Sequence, residues 1–217
     1  MVLVVGNPKN LNPNPNGSFY QTSHTQNTGA DGLLLVSFCM FNSCNYNGCT
    51  YGGQAMTQVL QKLLSGLQQR VAIYKLESPP TGNNTLRVNF NGGQYNPISL
   101  YARSFTGASI ANGSPVNLGG SNSPKNGSLV VLGGSYIYSM SVSINVIQSI
   151  QIPTGVGTTA EYTANTNRQV RGGLAGPFTA GTIALRNTGV NLTMQAIEVR
   201  AASSSPPATS SNFLLMF

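Results

Sequence analysis

Three cysteines and one histidine are the side chains of this sequence with the widest range of chemistry. Cys39, Cys44 and Cys49 are evenly spaced, and with His24 they would nominally supply the four ligands of a zinc ion. Structural zinc sites, however, favour ligand pairs about two to four residues apart in tight turns. The spacing therefore predicts no metal site.

The thiols themselves have two interpretations. Cys39 belongs to the apolar run LLLVSFCMF, where a reduced cysteine serves as a small buried side chain, and we prefer this structural role for all three thiols. The alternative is a Cys44–Cys49 disulfide across the NYNG turn. Because the number of cysteines is odd, at least one thiol stays free of pairing within the chain.

Acid–base catalysis has few residues to draw on in this chain. The four acids are Asp31, Glu77, Glu161 and Glu198, and His24 lies in the strand-like QTSHTQ. No G-x-S-x-G nucleophile elbow is present, and any carboxylate pair for glycoside hydrolysis must come from these four acids. The sequence predicts a protein that is not an enzyme, with no catalytic residue and no cofactor.

The charge pattern indicates an acidic partner. Eleven Lys and Arg residues are scattered along the chain and give a net charge of +7. A mildly cationic surface suits a negatively charged protein lattice or cell surface, whereas nucleic acid is disfavoured because no basic cluster with aromatics occurs. MVLVV is too short for a signal peptide, and no apolar stretch approaches the roughly 18 residues of a membrane span, so we expect no membrane partner.

The elements that must position these residues are mainly β-strands. One segment, residues 54–69 (QAMTQVLQKLLSGLQQ), has apolar residues at helical spacing and predicts a short helical insertion that plugs one end of the fold, with partner binding as the alternative. Paired glycines, including those at 172–173, predict turns or bulges. Alternating or continuous apolar runs predict strands at 18–25, 33–41, 71–77, 84–90, 98–106, 128–132, 136–147, 181–186 and 191–200.

This pattern predicts an all-β fold, an antiparallel β-sandwich of jelly-roll type with extended terminal arms. We divide the chain into an N-terminal arm (1–17), the sandwich (18–203) and a C-terminal arm (204–217). The last arm ends in an apolar hook that we expect to dock on a neighbouring subunit; docking on its own sandwich and a disordered end are the alternatives. The hook consists of Phe213, Leu214, Leu215, Met216 and Phe217.

Several motifs resemble a recurrent β-sandwich domain of phage structural proteins and some bacterial surface proteins. They are SHTQNTGADGLLLVSF, CTYGGQAMTQV, RVAIYKLESPPTGNNTLRVNF and a last strand, MQAIEVRAA. The resemblance covers roughly residues 18–203 and departs at the insertion near 58–69. It implies a structural role in a virion or on a surface, and it does not imply a catalytic site. Its turn positions here are Tyr51, Gly52, Gly53, Gln54, Pro79, Pro80 and Gly82.

Those turn positions have an architectural meaning. Gly52 and Gly53 permit positive φ, and Gln54 can bond open backbone groups. Pro79 and Pro80 with Gly82 stop one strand and reverse it into the next.

Together these features favour a phage virion structural protein, either a capsid decoration (cement) protein or a head- or tail-associated fibre component. We expect a homo-oligomer, made in the host cytoplasm without a signal peptide, that packs on itself and on other virion proteins such as a capsid lattice and uses no small-molecule substrate. The alternative is a receptor- or carbohydrate-binding module of a tail or surface adhesin. The absence of Trp counts against that alternative, since sugars are often held on large aromatic faces.

Overall fold

The computed structural model describes residues 4–11, 18–26, 32–41, 45–64, 69–91, 99–110, 115–120, 125–143, 149–151, 159–165, 169–188 and 192–202. Within these ranges it contains eighteen β-strands and no helix. They are β1 (Val4–Leu11), β2 (Phe19–Gln26), β3 (Gly32–Phe41), β4 (Asn45–Tyr51), β5 (Gln54–Ala55), β6 (Thr57–Leu64), β7 (Gln69–Glu77), β8 (Gly82–Asn91), β9 (Ser99–Thr106), β10 (Ala108–Ile110), β11 (Val116–Gly120), β12 (Lys125–Val131), β13 (Tyr136–Ser143), β14 (Ser149–Gln151), β15 (Thr159–Asn165), β16 (Gln169–Ala175), β17 (Gly181–Thr188) and β18 (Leu192–Ala201).

The all-β prediction is confirmed, and all strand pairs in the described ranges are antiparallel. The nine predicted strand regions overlap with β2, β3, β7, β8, β9, β12, β13, β17 and β18, and predicted residues 98, 144–147 and 191 lie outside the described residues. Val4–Leu11, within the segment assigned to the N-terminal arm, form β1 and pair with β9. Pro8 is tolerated there because β1 is an edge strand.

The predicted helix at residues 54–69 is wrong for the described residues 54–64, which form β5 and β6. β6 pairs with β7 along its length, and a register shift lies between Gln58 and Leu60. This bulge interrupts the strict alternation of faces, so Val59 and Leu60 both pack against the same core. Apolar residues at helical spacing thus also fit a bulged strand, and pairing with β7 makes this segment a strand and not a helix.

The strands form four sheets. Sheet A has the order β1-β9-β3-β7-β6, and sheet B has the order β2-β8-β4-β5. Sheet C has the order β10-β18-β13-β16-β15, with β11 also paired to β18, and sheet D has the order β12-β17-β14.

Sheet A is covered on both faces, which explains the uninterrupted apolar run of β3. Leu34, Val36 and Phe38 pack with side chains of sheet B. Leu33 and Leu35 point the other way and pack with side chains of sheet C. A strand buried on two sides needs apolar residues at successive positions, so LLLV shows no alternation.

Sheet C is likewise covered on both faces. Tyr138 and Met140 pack toward sheet A, while Ile137 packs with Leu129 and Leu185 of sheet D. The sheets therefore stack in the order B, A, C, D, with three apolar layers between them. Sheets B and D present the outer faces of the stack.

The strand order repeats along the chain. Sheets A and B contain β1 to β9, which we call the first unit, and sheets C and D contain β10 to β18, the second unit. The order β1-β9-β3-β7-β6 in sheet A corresponds to β11-β18-β13-β16-β15 in sheet C, and β2-β8-β4 in sheet B corresponds to β12-β17-β14 in sheet D. The residues between β14 and β15, 152–158, lie outside the described residues.

The register supports this correspondence. The bulge between Gln58 and Leu60 in β6 has its counterpart between Ala160 and Tyr162 in β15. β8 and β17 both begin at a glycine with positive φ, Gly82 and Gly181. The two units are thus copies of one architecture that pack together through sheets A and C.

Candidate functional site

The cysteines and the histidine do not form a cluster. Cys39 is buried between sheets A and C, whereas Cys49 is buried between sheets A and B. Cys49 is a free thiol in the structure, and Cys44, its partner in the alternative Cys44–Cys49 bridge, lies outside the described residues. Among the described residues, no group of three or more His, Cys, Asp and Glu side chains could hold a metal ion.

Cys49 has the environment of a structural thiol. Its Sγ lies 3.4 Å from Sδ of Met56, inside the layer between sheets A and B. Burial raises the pKa of this thiol well above its ordinary value of 9.0, because the thiolate would lose its hydration. A thiol held protonated in this way is a poor nucleophile.

His24 is also built into the layer between sheets A and B. It is buried, and its Nε2 lies 2.8 Å from Oγ of Ser104 in β9. Its ring meets the ring of Tyr51 edge to face, with centroids 5.9 Å apart. These contacts hold the imidazole between two sheets, away from any substrate that approaches from solvent.

The Tyr-Gly-Gly-Gln motif forms a hairpin turn. Tyr51 pairs with Gln54 across β4 and β5, and the two residues between them, Gly52 and Gly53, have φ angles of +55° and +80°. Two successive positive φ angles define the tight hairpin turn whose twist matches that of the flanking strands. Gln54 is exposed.

The Pro-Pro-Thr-Gly motif packs on this hairpin. A Cβ on Gly52 would lie 2.7 Å from Cγ of Pro80, and Pro79 is buried. The Tyr51 hydroxyl donates to the carbonyl oxygens of His24 at 2.9 Å and Gly82 at 3.1 Å. The turn motifs of the resemblance therefore meet at one corner of the first unit and serve its architecture, whereas its last strand, MQAIEVRAA, belongs to β18 of the second unit.

Glu198 is a buried carboxylate with a structural role. Its Oε1 accepts hydrogen bonds from the backbone N–H of Leu132 at 2.7 Å and from Oγ of Ser135 at 2.6 Å. These bonds tie the turn between β12 and β13 to β18. A cavity of about 50 Å³ lies beside it, lined by Val59, Ile110, Pro115, Leu129, Val130, Ile197 and Glu198.

The outer face of sheet B carries a cation that sequence reasoning missed. The guanidinium carbon of Arg87 lies 3.8 Å from the centre of the Phe19 ring, and Nε of Arg87 donates to Oδ1 of Asn89 at 2.7 Å. Gln21 and Thr50 are its partners in register on the two neighbouring strands. The alternation of β8 places Arg87 outward, but the stacking on Phe19 depends on the strand pairing.

Sheet D has an arginine at the equivalent position. Arg186 stands five residues after the first residue of β17, as Arg87 does in β8. It is exposed, and its partners in register are Asn126 and Gln151. Each outer sheet thus presents one arginine beside a neighbouring amide residue.

The second unit also has an apolar surface, which lies at the end of β12. Val130 and Leu132 are 69% and 51% exposed, respectively. The apolar hook, residues 213–217, lies outside the described residues. The described part of the chain contains no helix that is long and apolar enough to cross a membrane.

Comparison with known proteins gives no relative to this chain: no family model, curated protein or solved structure matches it.

Proposed function

We propose that each unit is a jelly roll and that the chain is a structural protein of a phage virion. The strand order supports this proposal: in the first unit β1-β9-β3-β7 packs on β2-β8-β4-β5. Sheet A adds β6 as a fifth strand, and the other eight strands of the first unit have the arrangement of two Greek keys; jelly rolls of this kind build viral capsids. The repeat of that order in the second unit is the observation that carries the proposal.

The proposed role is that of a capsid decoration (cement) protein or a head- or tail-associated fibre component, resident in the virion. The chain acts as a homo-oligomer and packs on other virion proteins, such as a capsid lattice. Val130 and Leu132 support such assembly, because adjacent exposed aliphatic side chains offer an apolar surface for a partner. The proposed occupant is the hook Phe213–Phe217 of a neighbouring subunit.

A truncation tests this assembly. Deletion of residues 212–217, and separately the pair Val130→Asn and Leu132→Asn, should lower the oligomer mass in sedimentation and reduce incorporation into particles. Leu63→Asn is the matched control, because Leu63 is also an exposed aliphatic residue, 44% accessible, but lies on β6. Full assembly by the truncated chain would remove the hook from the proposal, and full incorporation by both variants would overturn it.

A second candidate function is that of a receptor- or carbohydrate-binding module. Jelly rolls also occur as lectins, and the outer face of sheet B supports this reading with exposed Gln21, Ser23 and Thr85 beside Arg87. Amides and hydroxyls can donate to and accept from sugar hydroxyls. A glycan array probed with the full chain tests it, because a purely structural protein should bind no glycan.

A further inference from the structure

Arg87 is held in place before any ligand binds. The Phe19 ring covers one face of its guanidinium group, and Asn89 takes the Nε–H. The donors that stay available to a ligand are on the two terminal nitrogens, which can bind both oxygens of a carboxylate at once. An arginine fixed in this way loses little side-chain freedom when an anion arrives.

The surroundings of Arg87 favour a negative charge. The strands of sheet B contain no Asp or Glu, and Arg87 is their only Arg or Lys. No acidic side chain of that sheet therefore competes for the guanidinium group. The chain as a whole carries a net charge of +7, which adds a weak long-range attraction for a polyanion.

The neighbours of Arg87 suit the hydroxyls and the ring of a sugar, while Arg87 itself suits a negative charge on that sugar. Gln21 flanks it on β2 and Thr50 on β4, so an amide and a hydroxyl lie on either side of the cation. Phe19 is 39% exposed and offers an apolar ring edge at the same place. A charged group framed by amide, hydroxyl and aromatic surface is suited to a uronic acid residue in a polysaccharide.

The second unit repeats the arginine and the amide residue beside it in register. Arg186 occupies the position in β17 that Arg87 occupies in β8, with Asn126 beside it in register where Gln21 stands in the first unit. The strands of sheet D also lack Asp and Glu. Because sheets B and D are the two outer layers of the stack, the two arginines lie on opposite sides of the molecule.

We propose that Arg87 and Arg186 are the anion-binding residues of two equivalent sites for a carboxylated polysaccharide. Each arginine binds one carboxylate, and the flanking amides bind sugar hydroxyls. This inference deepens the second candidate function, glycan binding, and does not depend on virion assembly.

The test uses polygalacturonate as the probe and its fully methyl-esterified form as the matched neutral polymer. The full chain should bind the acid form at low salt and bind the ester at least about tenfold more weakly, since loss of a charge-assisted bond has an effect of that order. Arg87→Gln and Arg186→Gln should each halve the number of acid-form binding sites per chain, and the double variant should bind no better than the ester control.

Two further variants separate the site from the net charge. Lys62→Gln removes one positive charge from β6 of sheet A and should leave binding unchanged. Arg87→Lys retains the charge but loses the two-pronged donor and should weaken binding nearly as much as Arg87→Gln. Thermal unfolding of each variant checks that it is folded.

The outcomes of these experiments distinguish the possible ligands and sites. Equal binding of acid and ester would overturn the inference while glycan binding itself survives. No binding of either polymer would also overturn the inference, and the glycan array then decides whether the chain binds any glycan. Acid-specific binding that survives in the double variant would overturn the assignment to these two arginines. Equally tight, arginine-dependent binding of single-stranded DNA would replace the acidic glycan with a general polyanion. Particle incorporation is measured separately and is expected to be normal in both arginine variants.

Discussion

The hydroxyl of Tyr138 in sheet C lies 2.9 Å from Oγ of Ser37 in sheet A, and it also donates to the carbonyl oxygen of Tyr101 at 2.8 Å. The rings of Tyr101 and Tyr138 stack, with centroids 5.1 Å apart. These contacts cross the otherwise apolar layer between the two units. They fix how sheet C sits on sheet A, because hydrogen bonds depend on position more strongly than apolar contacts do.

Replacement of Tyr138 by Phe should therefore destabilise the protein by about 1–2 kcal/mol, because buried polar atoms of Ser37 and Tyr101 each lose a partner. The free energy of unfolding in urea is the measurement. Tyr136→Phe is the control, since Tyr136 is only partly buried at the edge of the same core. Equal stability of the wild type and the Tyr138 variant would show that the bonds across the units contribute nothing.

Gly172 lets β16 of sheet C pack closely on the Tyr101 ring of sheet A. A Cβ at this position would lie 2.7–2.9 Å from atoms of the Tyr101 side chain, which is fully buried. Gly172→Ala should destabilise the fold by about 1–3 kcal/mol through overpacking. Gly133→Ala provides the comparison, because a Cβ there would meet nothing closer than 3.8 Å.

Chemical denaturation of the two alanine variants distinguishes them. We expect a lower urea midpoint for Gly172→Ala and a midpoint near that of the wild type for Gly133→Ala. If both variants unfold at the wild-type midpoint, the sheets can separate enough to admit a methyl group, and the tight packing against Tyr101 is not a constraint.

The sequence carries enough local information to predict the class of the fold but not its layering. The run LLLV predicts a strand, since apolar residues at successive positions favour a strand buried on both faces. Gly172 and Gly173 also look like a turn, yet they lie inside β16 because the Tyr101 ring occupies the space above. That reason resides in another sheet, far away in the chain, and local pattern cannot reveal it.

The repeat of the two units is similarly hidden in the sequence. Leu86 and Arg87 match Leu185 and Arg186, but the buried positions of the outer sheets have diverged. In the first unit, His24 pairs with the residue two positions after the first glycine of β8, and its side chain bonds Ser104. In the second unit, Leu129 pairs with the residue two positions after the first glycine of β17. Packed sheets need side chains of complementary shape more than they need identical residues. The register of the strands, and not sequence identity, therefore reveals the two copies and with them the paired arginines.

Thiol accessibility should follow burial. Cys39 and Cys49 are both fully enclosed, on opposite faces of sheet A. In a Cys44→Ala variant, a thiol-reactive disulfide reagent should find no rapidly reacting thiol in the native state and two thiols in denaturant. Rapid labelling of the native variant would contradict the enclosure of one of them, and mass spectrometry of the labelled peptides would identify which.

Alkaline pH should destabilise the fold from about the ordinary pKa of a thiol upward. Burial raises the pKa of Cys49 above its ordinary value of 9.0, and loss of hydration raises the pKa of Tyr51 and Tyr74 above 10.0. The unfolded chain therefore releases these protons at a lower pH than the folded chain does. The stabilisation is complete below pH 9.0 and is lost as the pH rises toward the folded values.

Urea unfolding between pH 7 and pH 11 measures this loss. With only Cys49 contributing, the free energy of unfolding should fall by at most about 1.4 kcal/mol per pH unit above pH 9, and the tyrosines should steepen the slope above pH 10. Cys49→Ala removes the contribution of this thiol, so the slope between pH 9 and pH 10 should be smaller than in the wild type, whatever the variant's stability at neutral pH. An unchanged slope between pH 9 and pH 10 in this variant would mean that another group, and not Cys49, governs the first loss of stability.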